Sequence, residues 1–237
     1  MDGDEKTCLP FSQVCFKERF PSLLIFIMAI LIVGPLFDEF VQLRILMDIL
    51  WSAVFVSAIY AVSHKKRHIV IALLLALPML GAIWSGHLVG HHTLQVVGYM
   101  CGVAFILFAI IQMLIFIYGH KEVTRDLIIG AAVVYLLMAI MWTFIFIVVE
   151  TLHPGSFNLP DIKDIEDTGH FLYFSLVTLT TLGYGDITPV TKLARSLSTL
   201  EAVIGQLYLV VQVAWLVGIH VSQSVLKKSR QDDEEGE

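Results

Sequence analysis

Charged residues are scarce in this sequence: only 15% of its 237 residues are Asp, Glu, Lys or Arg, whereas 57% are hydrophobic. Soluble domains average about 25% charged and about 45–50% apolar residues, so the composition excludes an ordinary soluble protein. With 15 Lys and Arg against 21 Asp and Glu, there is no positive excess to hold a nucleic acid. The 3 Cys are too few for a disulfide framework. We therefore expect a polytopic membrane protein.

Six long hydrophobic runs predict six transmembrane helices in an all-α membrane protein. A helix needs about 20 predominantly apolar residues to cross the hydrocarbon core of a bilayer, and each run approaches or exceeds that length. The runs lie at residues 21–37, 40–63, 69–85, 93–118, 127–149 and 193–221.

The short connections between these runs predict the orientation. Lys and Arg concentrate before the first run, after the second, after the fourth and after the sixth, and six crossings place these segments on one side. Because cytoplasmic loops carry the excess of Lys and Arg, both termini are expected in the cytoplasm of a cell-membrane protein. The opposite loops are richer in acidic residues and His, and Glu150 is expected in such a solvated outer loop.

The segment between the fifth and sixth runs contains an apolar stretch, 169–179, that is too short to cross a bilayer; residues 180–186 follow with the sequence TTLGYGD. A half-length helix before Gly-rich backbone predicts a re-entrant loop that lines a water-filled path. Gly183 and Gly185 allow the backbone to alternate between ordinary and left-handed conformations, so that successive carbonyls point the same way. Such carbonyls replace the hydration shell of an ion.

The motif TLGYGD at 181–186 resembles the filter signature of the tetrameric potassium channels, with Leu182 where Val is commonest. The resemblance covers about 127–221. The overall pattern resembles the small bacterial six-span channels with a single pore loop. It implies that the carbonyls of Thr181, Leu182, Gly183 and Tyr184 coordinate K⁺, with Gly185 completing the filter. Because one chain holds one filter segment and a ring needs four, it also implies a homotetramer.

The resemblance further implies which residues support the filter. Tyr184 is implied to pack outward against the pore helix, and Tyr173 and Phe174 stand where the family has aromatic packing partners. Phe174 has no polar hydrogen with which to fix Asp186, which predicts a loosely held outer filter. Glu201, inside the sixth run, is expected either to bond to a Ser or Thr of the pore helix or to act as a proton-sensitive strut behind the filter.

The sixth run contains the expected hinge and gate. Gly205 aligns with the hinge glycine of the family's inner helix, and close packing is an equal alternative for it. Gln206 either faces the inner cavity or bonds to a neighbouring helix. An apolar ring near the cytoplasmic end gates by dewetting. The residues expected to line the cavity and gate, spaced by four along one face, are Leu209, Val213, Val217 and Val221.

The fourth run contains no Lys, Arg, Asp or Glu. Each charge moved couples by only about 2.3 kcal/mol per 100 mV, so steep voltage sensing by this helix is excluded. The sequence does not determine the gating stimulus. The alternatives are voltage acting on the filter, lipid, tension, pH and a separate regulatory partner. The predicted organisation is a cytoplasmic N-terminus (1–20), a four-helix peripheral domain without sensor charges (21–126), a pore module (127–222) and an acidic cytoplasmic tail (223–237), disordered over 231–237.

Two other functions are alternatives. His87, His91 and His92 are similar in pattern to the histidine boxes of membrane di-iron enzymes, but such a site needs several more ligands on one side. In a channel, these His could bind external protons or metal ions and so modulate the current. A secondary cation transporter requires paired broken helices, and only one broken region is found. We expect a potassium-selective channel that is not an enzyme, needs no cofactor, and has K⁺, the lipid bilayer and its own copies as partners.

Overall fold

The computed structural model describes residues 19–37, 44–62, 66–85, 92–120, 123–159 and 168–234. These ranges contain seven helices and one short ladder of two strands. In chain order the elements are α1 (Arg19–Phe37), α2 (Arg44–Val62), α3 (Lys66–Ser85), α4 (His92–Gly119), α5 (Arg125–Leu152), β1 (Phe157–Asn158), α6 (Thr168–Leu179), β2 (Thr188–Pro189) and α7 (Lys192–Glu234).

Four helices of the described ranges, α3, α4, α5 and α7, are long and apolar enough to cross a membrane. The apolar stretches of α1 and α2 are shorter, at Phe20–Gly34 and Ile45–Ala61. Each of these two helices has 19 residues. At about 1.5 Å per residue they measure roughly 28 Å, close to the roughly 30 Å of the hydrocarbon core. The structure therefore supports a helical protein with several membrane spans, of which four meet the length and composition criteria.

The last helix extends further than the sequence predicts. The sixth run ends near 221 and residues 231–237 are expected to be disordered, but α7 continues to Glu234. The prediction of disorder is wrong for 231–234, and 235–237 lie outside the described residues. No Gly or Pro interrupts the chain between 219 and 234, and its Lys, Arg, Gln and Glu are good helix formers.

Aromatic side chains pack the peripheral helices onto α5. The ring of Phe144 on α5 is 1% exposed. Its centroid lies 5.6 Å from that of Trp51 on α2 and 5.7 Å from that of Tyr99 on α4. Aromatic pairs at such distances add about 0.5–1.5 kcal/mol beyond their area burial. One ring therefore joins two peripheral helices to the part of the chain that carries the motif.

A short antiparallel ladder ties together the chain on both sides of α6. Phe157 of β1 lies opposite Pro189 of β2, and Asn158 lies opposite Thr188. The ladder is extended by the carbonyl oxygen of Ser156, which accepts from the amides of residues 190 and 191 at 2.7 and 3.3 Å. The loop that contains α6 and the motif is thus closed at its base.

Glu150, in the last turn of α5, fastens the same loop from inside. Its Oε1 accepts from the amide of Gly155 at 2.7 Å, and its Oε2 accepts from the amide of Phe157 at 3.0 Å. The side chain is 4% exposed. The expectation of a solvated outer-loop residue is wrong for Glu150, because its carboxylate accepts from two backbone amides of the turn that follows α5.

Candidate functional site

Aromatic packing holds α6 behind the motif. Phe174 is 5% exposed, and its ring centroid lies 5.2 Å from that of Phe146 on α5 and 5.4 Å from that of Phe157. Phe171, one turn earlier, lies 5.4 Å from Phe157 between centroids. Residues three apart share a face of a helix, so α6 presents an apolar face to α5 and to the base of the loop.

Backbone hydrogen bonds close the end of α6. The amides of Leu182 and Gly183 both donate to the carbonyl oxygen of Val177, at 2.9 and 3.3 Å. The amide of Thr181 donates to the carbonyl oxygen of Thr178 at 3.0 Å. The last carbonyls of a helix lack partners within the helix, and here the motif supplies them. The chain therefore leaves the helix at once and enters the motif.

The backbone of the motif alternates in conformation. Thr181, Gly183 and Gly185 have φ of 61°, 59° and 82°, and the residues between them are not left-handed. The sequence predicts this conformation at the two glycines; at Thr181 it gives no such signal, because a β-branched residue rarely has positive φ. Alternation over three positions, rather than two, lengthens the stretch in which successive carbonyls can face one side, which is the requirement for coordinating an ion.

The motif is open on the single chain. Residues 181–186 are all exposed, and the side chains of Leu182 and Tyr184 are 55% and 67% exposed. The resemblance implies that Tyr184 packs against the pore helix. Within the single chain that packing is slight, because two thirds of the Tyr184 side chain is exposed.

Asp186 is fixed by Tyr173. The hydroxyl of Tyr173 donates to Oδ2 of Asp186 at 2.7 Å, and the amide of Ile187 donates to Oδ1 at 3.0 Å. The hydrogen bond between the two side chains raises the pKa of Tyr173 to about 12 and lowers the pKa of Asp186. The structure thus differs from the loosely held outer filter expected from Phe174, because the preceding residue supplies the polar hydrogen.

Glu201 is buried at the junction of three helices, with an exposed fraction of 0%. Its Oε1 lies 2.5 Å from Oγ of Ser175 on α6. The same Oγ lies 2.8 Å from the carbonyl oxygen of Ala139 on α5. Of the two roles expected for Glu201, the geometry shows the bond to a Ser of α6.

Gly205 lies against the end of α6. A Cβ at this position would come within 2.5 Å of Cδ1 and 3.2 Å of the carbonyl oxygen of Leu179. Nε2 of Gln206 donates to the same carbonyl oxygen at 3.4 Å, so Gln206 bonds to a neighbouring helix. The structure therefore gives Gly205 a packing role.

The residues expected at the cavity and gate leave the face on which Gly205 lies. Gly205 is buried, whereas the four residues are exposed on the single chain. A step of four residues overshoots one helical turn by about 40°, so the row drifts around α7. These residues and their exposed fractions are Leu209 (37%), Val213 (57%), Val217 (56%) and Val221 (52%).

Two polar contacts of α7 have no counterpart among the features that the sequence predicts. The hydroxyl of Tyr208 donates to the carbonyl oxygen of Ala131 on α5 at 2.7 Å. The hydroxyl of Tyr118 on α4 donates to Oε1 of Gln212 at 3.3 Å. The available signal is the presence of polar groups in an apolar run, since such groups need a partner inside a bilayer. Their partners lie about 80 and 90 residues away, and no local pattern indicates them.

This part of the chain is similar to a known protein family. Residues 123–219 match the sequence profile of a family described as Ion channel. The match covers about two fifths of the chain and includes α5, α6, the motif and most of α7. A search of the curated proteins finds no match. The family match and the apolar helices together indicate a multi-pass membrane protein that carries an ion-channel segment.

The histidine pattern falls largely outside the structure. His87 and His91 are not among the described residues, and the side chain of His92 is not described. Within the described ranges, no group of three or more His, Cys, Asp or Glu is arranged to hold a metal ion. The family match supports ion transport and gives no support to an enzyme.

Proposed function

We propose that this protein is a potassium-selective channel of the cell membrane. It is a homotetramer whose subunits each have six spans, a re-entrant filter segment and both termini in the cytoplasm. The observation that carries the proposal is the left-handed backbone at Thr181, Gly183 and Gly185, directly after the end of α6. The carbonyls of Thr181, Leu182, Gly183 and Tyr184 coordinate dehydrated K⁺, and conduction runs passively down its gradient without a cofactor.

The tetramer is supported by the distribution of buried surface. In the span of α5, 72% of residues are buried within the chain, whereas in the span of α7 the share is 11%. The exposed side chains of α7 are mainly apolar. A helix that is covered so little by its own chain suits a position between neighbouring subunits and a central cavity. Four copies arranged in this way bring four motifs around one axis.

The direction of α6 suits a permeant cation. The C-terminal end of a helix carries a partial negative charge of roughly half an elementary charge. α6 ends at Leu179, immediately before the filter. In the tetramer, the C-terminal ends of four α6 helices point at the ion on the cytoplasmic side of the filter. The exposed row from Leu209 to Val221 then lines the path below it.

The reversal potential of the purified protein in planar bilayers tests this function. With K⁺ on one side and Na⁺ on the other, we expect reversal near the K⁺ equilibrium potential. Gly183→Ala should abolish selective current, because a Cβ in the left-handed region costs about 1–2 kcal/mol in each subunit. Gly155→Ala is the matched control: Gly155 also has positive φ, at 83°, and a Cβ there would meet nothing within 4 Å.

Other results would contradict the proposal in distinct ways. A non-selective current would show that the segment conducts but does not select K⁺. Saturable flux without single-channel steps would favour a transporter. Light scattering of the purified chain in detergent measures the number of subunits, and a monomer or dimer would exclude the four-fold ring.

A further inference from the structure

Three oxygen atoms from three helices form a row behind the motif. The carbonyl oxygen of Ala139 on α5 lies 2.8 Å from Oγ of Ser175 on α6, and this Oγ lies 2.5 Å from Oε1 of Glu201 on α7. Ser175 and Glu201 both have an exposed fraction of 0%. Both distances are within the range of O–H···O hydrogen bonds.

The number of protons in this row is determined by chemistry. Each contact between two oxygens at such a distance needs one hydrogen between them. The carbonyl oxygen of Ala139 has none, and it also accepts from the hydroxyl of Thr143 at 2.8 Å. The hydroxyl of Ser175 has one hydrogen, which serves only one of its two contacts. The second hydrogen must therefore come from Glu201.

The surroundings of Glu201 lead to the same conclusion. Its Oε2 is buried and has no hydrogen-bond partner among the described residues. Tyr135 on α5 is uncharged at neutral pH, and its hydroxyl donates to the carbonyl oxygen of Leu179 rather than to Glu201. On α6 the contact of Glu201 is the uncharged Ser175. A buried carboxylate without a countercharge is costly and takes up a proton instead. Glu150 differs, since both of its oxygens accept from backbone amides.

We propose that Glu201 is a neutral carboxylic acid at neutral pH, and that it donates its proton to Ser175, which in turn donates to the carbonyl of Ala139. Glu201 is thus a positioning residue: it joins α7 to α6 and α5 without placing a negative charge behind the filter. The inference rests on the row of oxygens and does not depend on which ion the protein conducts.

Infrared spectroscopy of the full-length protein in lipid membranes tests this protonation state. In D₂O at neutral pH, we expect a carbonyl stretch of a protonated carboxylic acid, separate from the carboxylate bands. Labelling the δ-carboxyl carbon of glutamate with ¹³C should shift this band, and no variant is needed for that measurement. Absence of the band, or a band that the label does not shift, would overturn the proposal.

Variants then assign the band to Glu201. Glu201→Gln should remove it while preserving the row, because the amide of Gln can donate to Ser175. Glu150→Gln is the matched control, because Glu150 is the other buried glutamate of the described ranges, and it should leave the band in place. Ser175→Ala should keep the band but change its frequency, because the acid loses its acceptor. A band that survives Glu201→Gln, or that Ser175→Ala leaves unchanged, contradicts the proposal.

Discussion

The hydroxyl of Tyr135 on α5 donates to the carbonyl oxygen of Leu179, the last residue of α6, at 3.0 Å. The same carbonyl accepts from Gln206 on α7, and the side chain of Leu179 lies over Gly205. Three helices therefore meet at the residue from which the motif departs. The position of the motif depends on this junction as much as on its own backbone.

Tyr135→Phe removes the hydroxyl but keeps the ring. We expect a loss of about 1 kcal/mol of stability per subunit, because the carbonyl of Leu179 keeps only the longer bond from Gln206. Selectivity for K⁺ over Na⁺ should fall as the end of α6 loosens. Thermal unfolding and reversal potentials in bilayers measure the two effects.

Tyr208→Phe is the matched control for Tyr135→Phe. It removes a hydroxyl that donates to Ala131 at 2.7 Å, at a contact between α5 and α7 that does not involve α6. A similar loss of stability with unchanged selectivity is expected. Equal losses of selectivity in both variants would show that the junction at Leu179 has no particular role.

Gly205→Ala tests the packing role of this glycine. The added Cβ would lie 2.5 Å from Cδ1 and 3.2 Å from the carbonyl oxygen of Leu179, so the buried side chain of Leu179 must shift and the contact with its backbone becomes tight. Overpacking of this kind costs about 1–3 kcal/mol. We expect a lower melting temperature of the assembled protein, measured by differential scanning fluorimetry.

A second substitution distinguishes a packing role of Gly205 from a role as a hinge. Leu179→Ala makes room for the new methyl group, so the double variant Gly205→Ala/Leu179→Ala should recover part of the stability lost by Gly205→Ala, judged against Leu179→Ala alone. Gly218→Ala, where a Cβ meets nothing within 4 Å, should have little effect. An altered open probability with unchanged stability would instead identify Gly205 as a hinge.

The bond between Tyr173 and Asp186 predicts how external pH acts on the motif. Because the pKa of Asp186 is lowered, the bond contributes its full stability at pH values above the ordinary pKa of 3.8. This stability is lost as the pH falls through the lowered pKa. Because the pKa of Tyr173 is raised to about 12, the bond also persists in mild alkali. We therefore expect that titration of this pair does not change the current between about pH 5 and pH 9.

Tyr173→Phe should make the current more sensitive to external acid. Without the hydroxyl, the pKa of Asp186 returns toward its ordinary value, and current should fall at a higher external pH than in the unmodified protein. Recording current against external pH measures the shift, with Tyr208→Phe as the control. Identical acid responses in all three proteins would exclude a contribution of the Tyr173 hydroxyl.

The composition of α4 predicts weak dependence on voltage. This helix of 28 residues contains no Asp, Glu, Lys or Arg. Each elementary charge moved through the field contributes about 2.3 kcal/mol per 100 mV, and α4 has none to move. We expect α4 to contribute no gating charge, so bilayer recordings should lack the steep voltage dependence of the open probability that a charged fourth helix gives. A steep response would require a sensor in another part of the chain.

Local patterns in the sequence predict much of the fold. The helices α3 to α6 begin and end within a few residues of the apolar runs, because a run that must be buried in lipid is recognisable from composition alone. The left-handed backbone at Gly183 and Gly185 follows from the conformational freedom of glycine.

The contacts that depend on distant residues are not predictable in this way. The sequence gives Tyr173 and Phe174 equal standing as packing residues, but the turn of α6 buries Phe174 and leaves Tyr173 within reach of Asp186. The bond from Tyr135 to Leu179 spans 44 residues, and no periodicity encodes it. The left-handed Thr181 is held by the closure of the helix end, against its own preference.

The ladder between Phe157 and Pro189 has a consequence for the order of folding. It joins the two ends of the loop that contains α6 and the motif, and hydrogen bonds to the carbonyl oxygen of Ser156 extend this joint. The entropy lost on closing a loop rises only slowly with its length, so this closure is inexpensive compared with the encounter of separate chains. In the proposed homotetramer, each subunit would therefore bring an already closed loop to the association of the four chains.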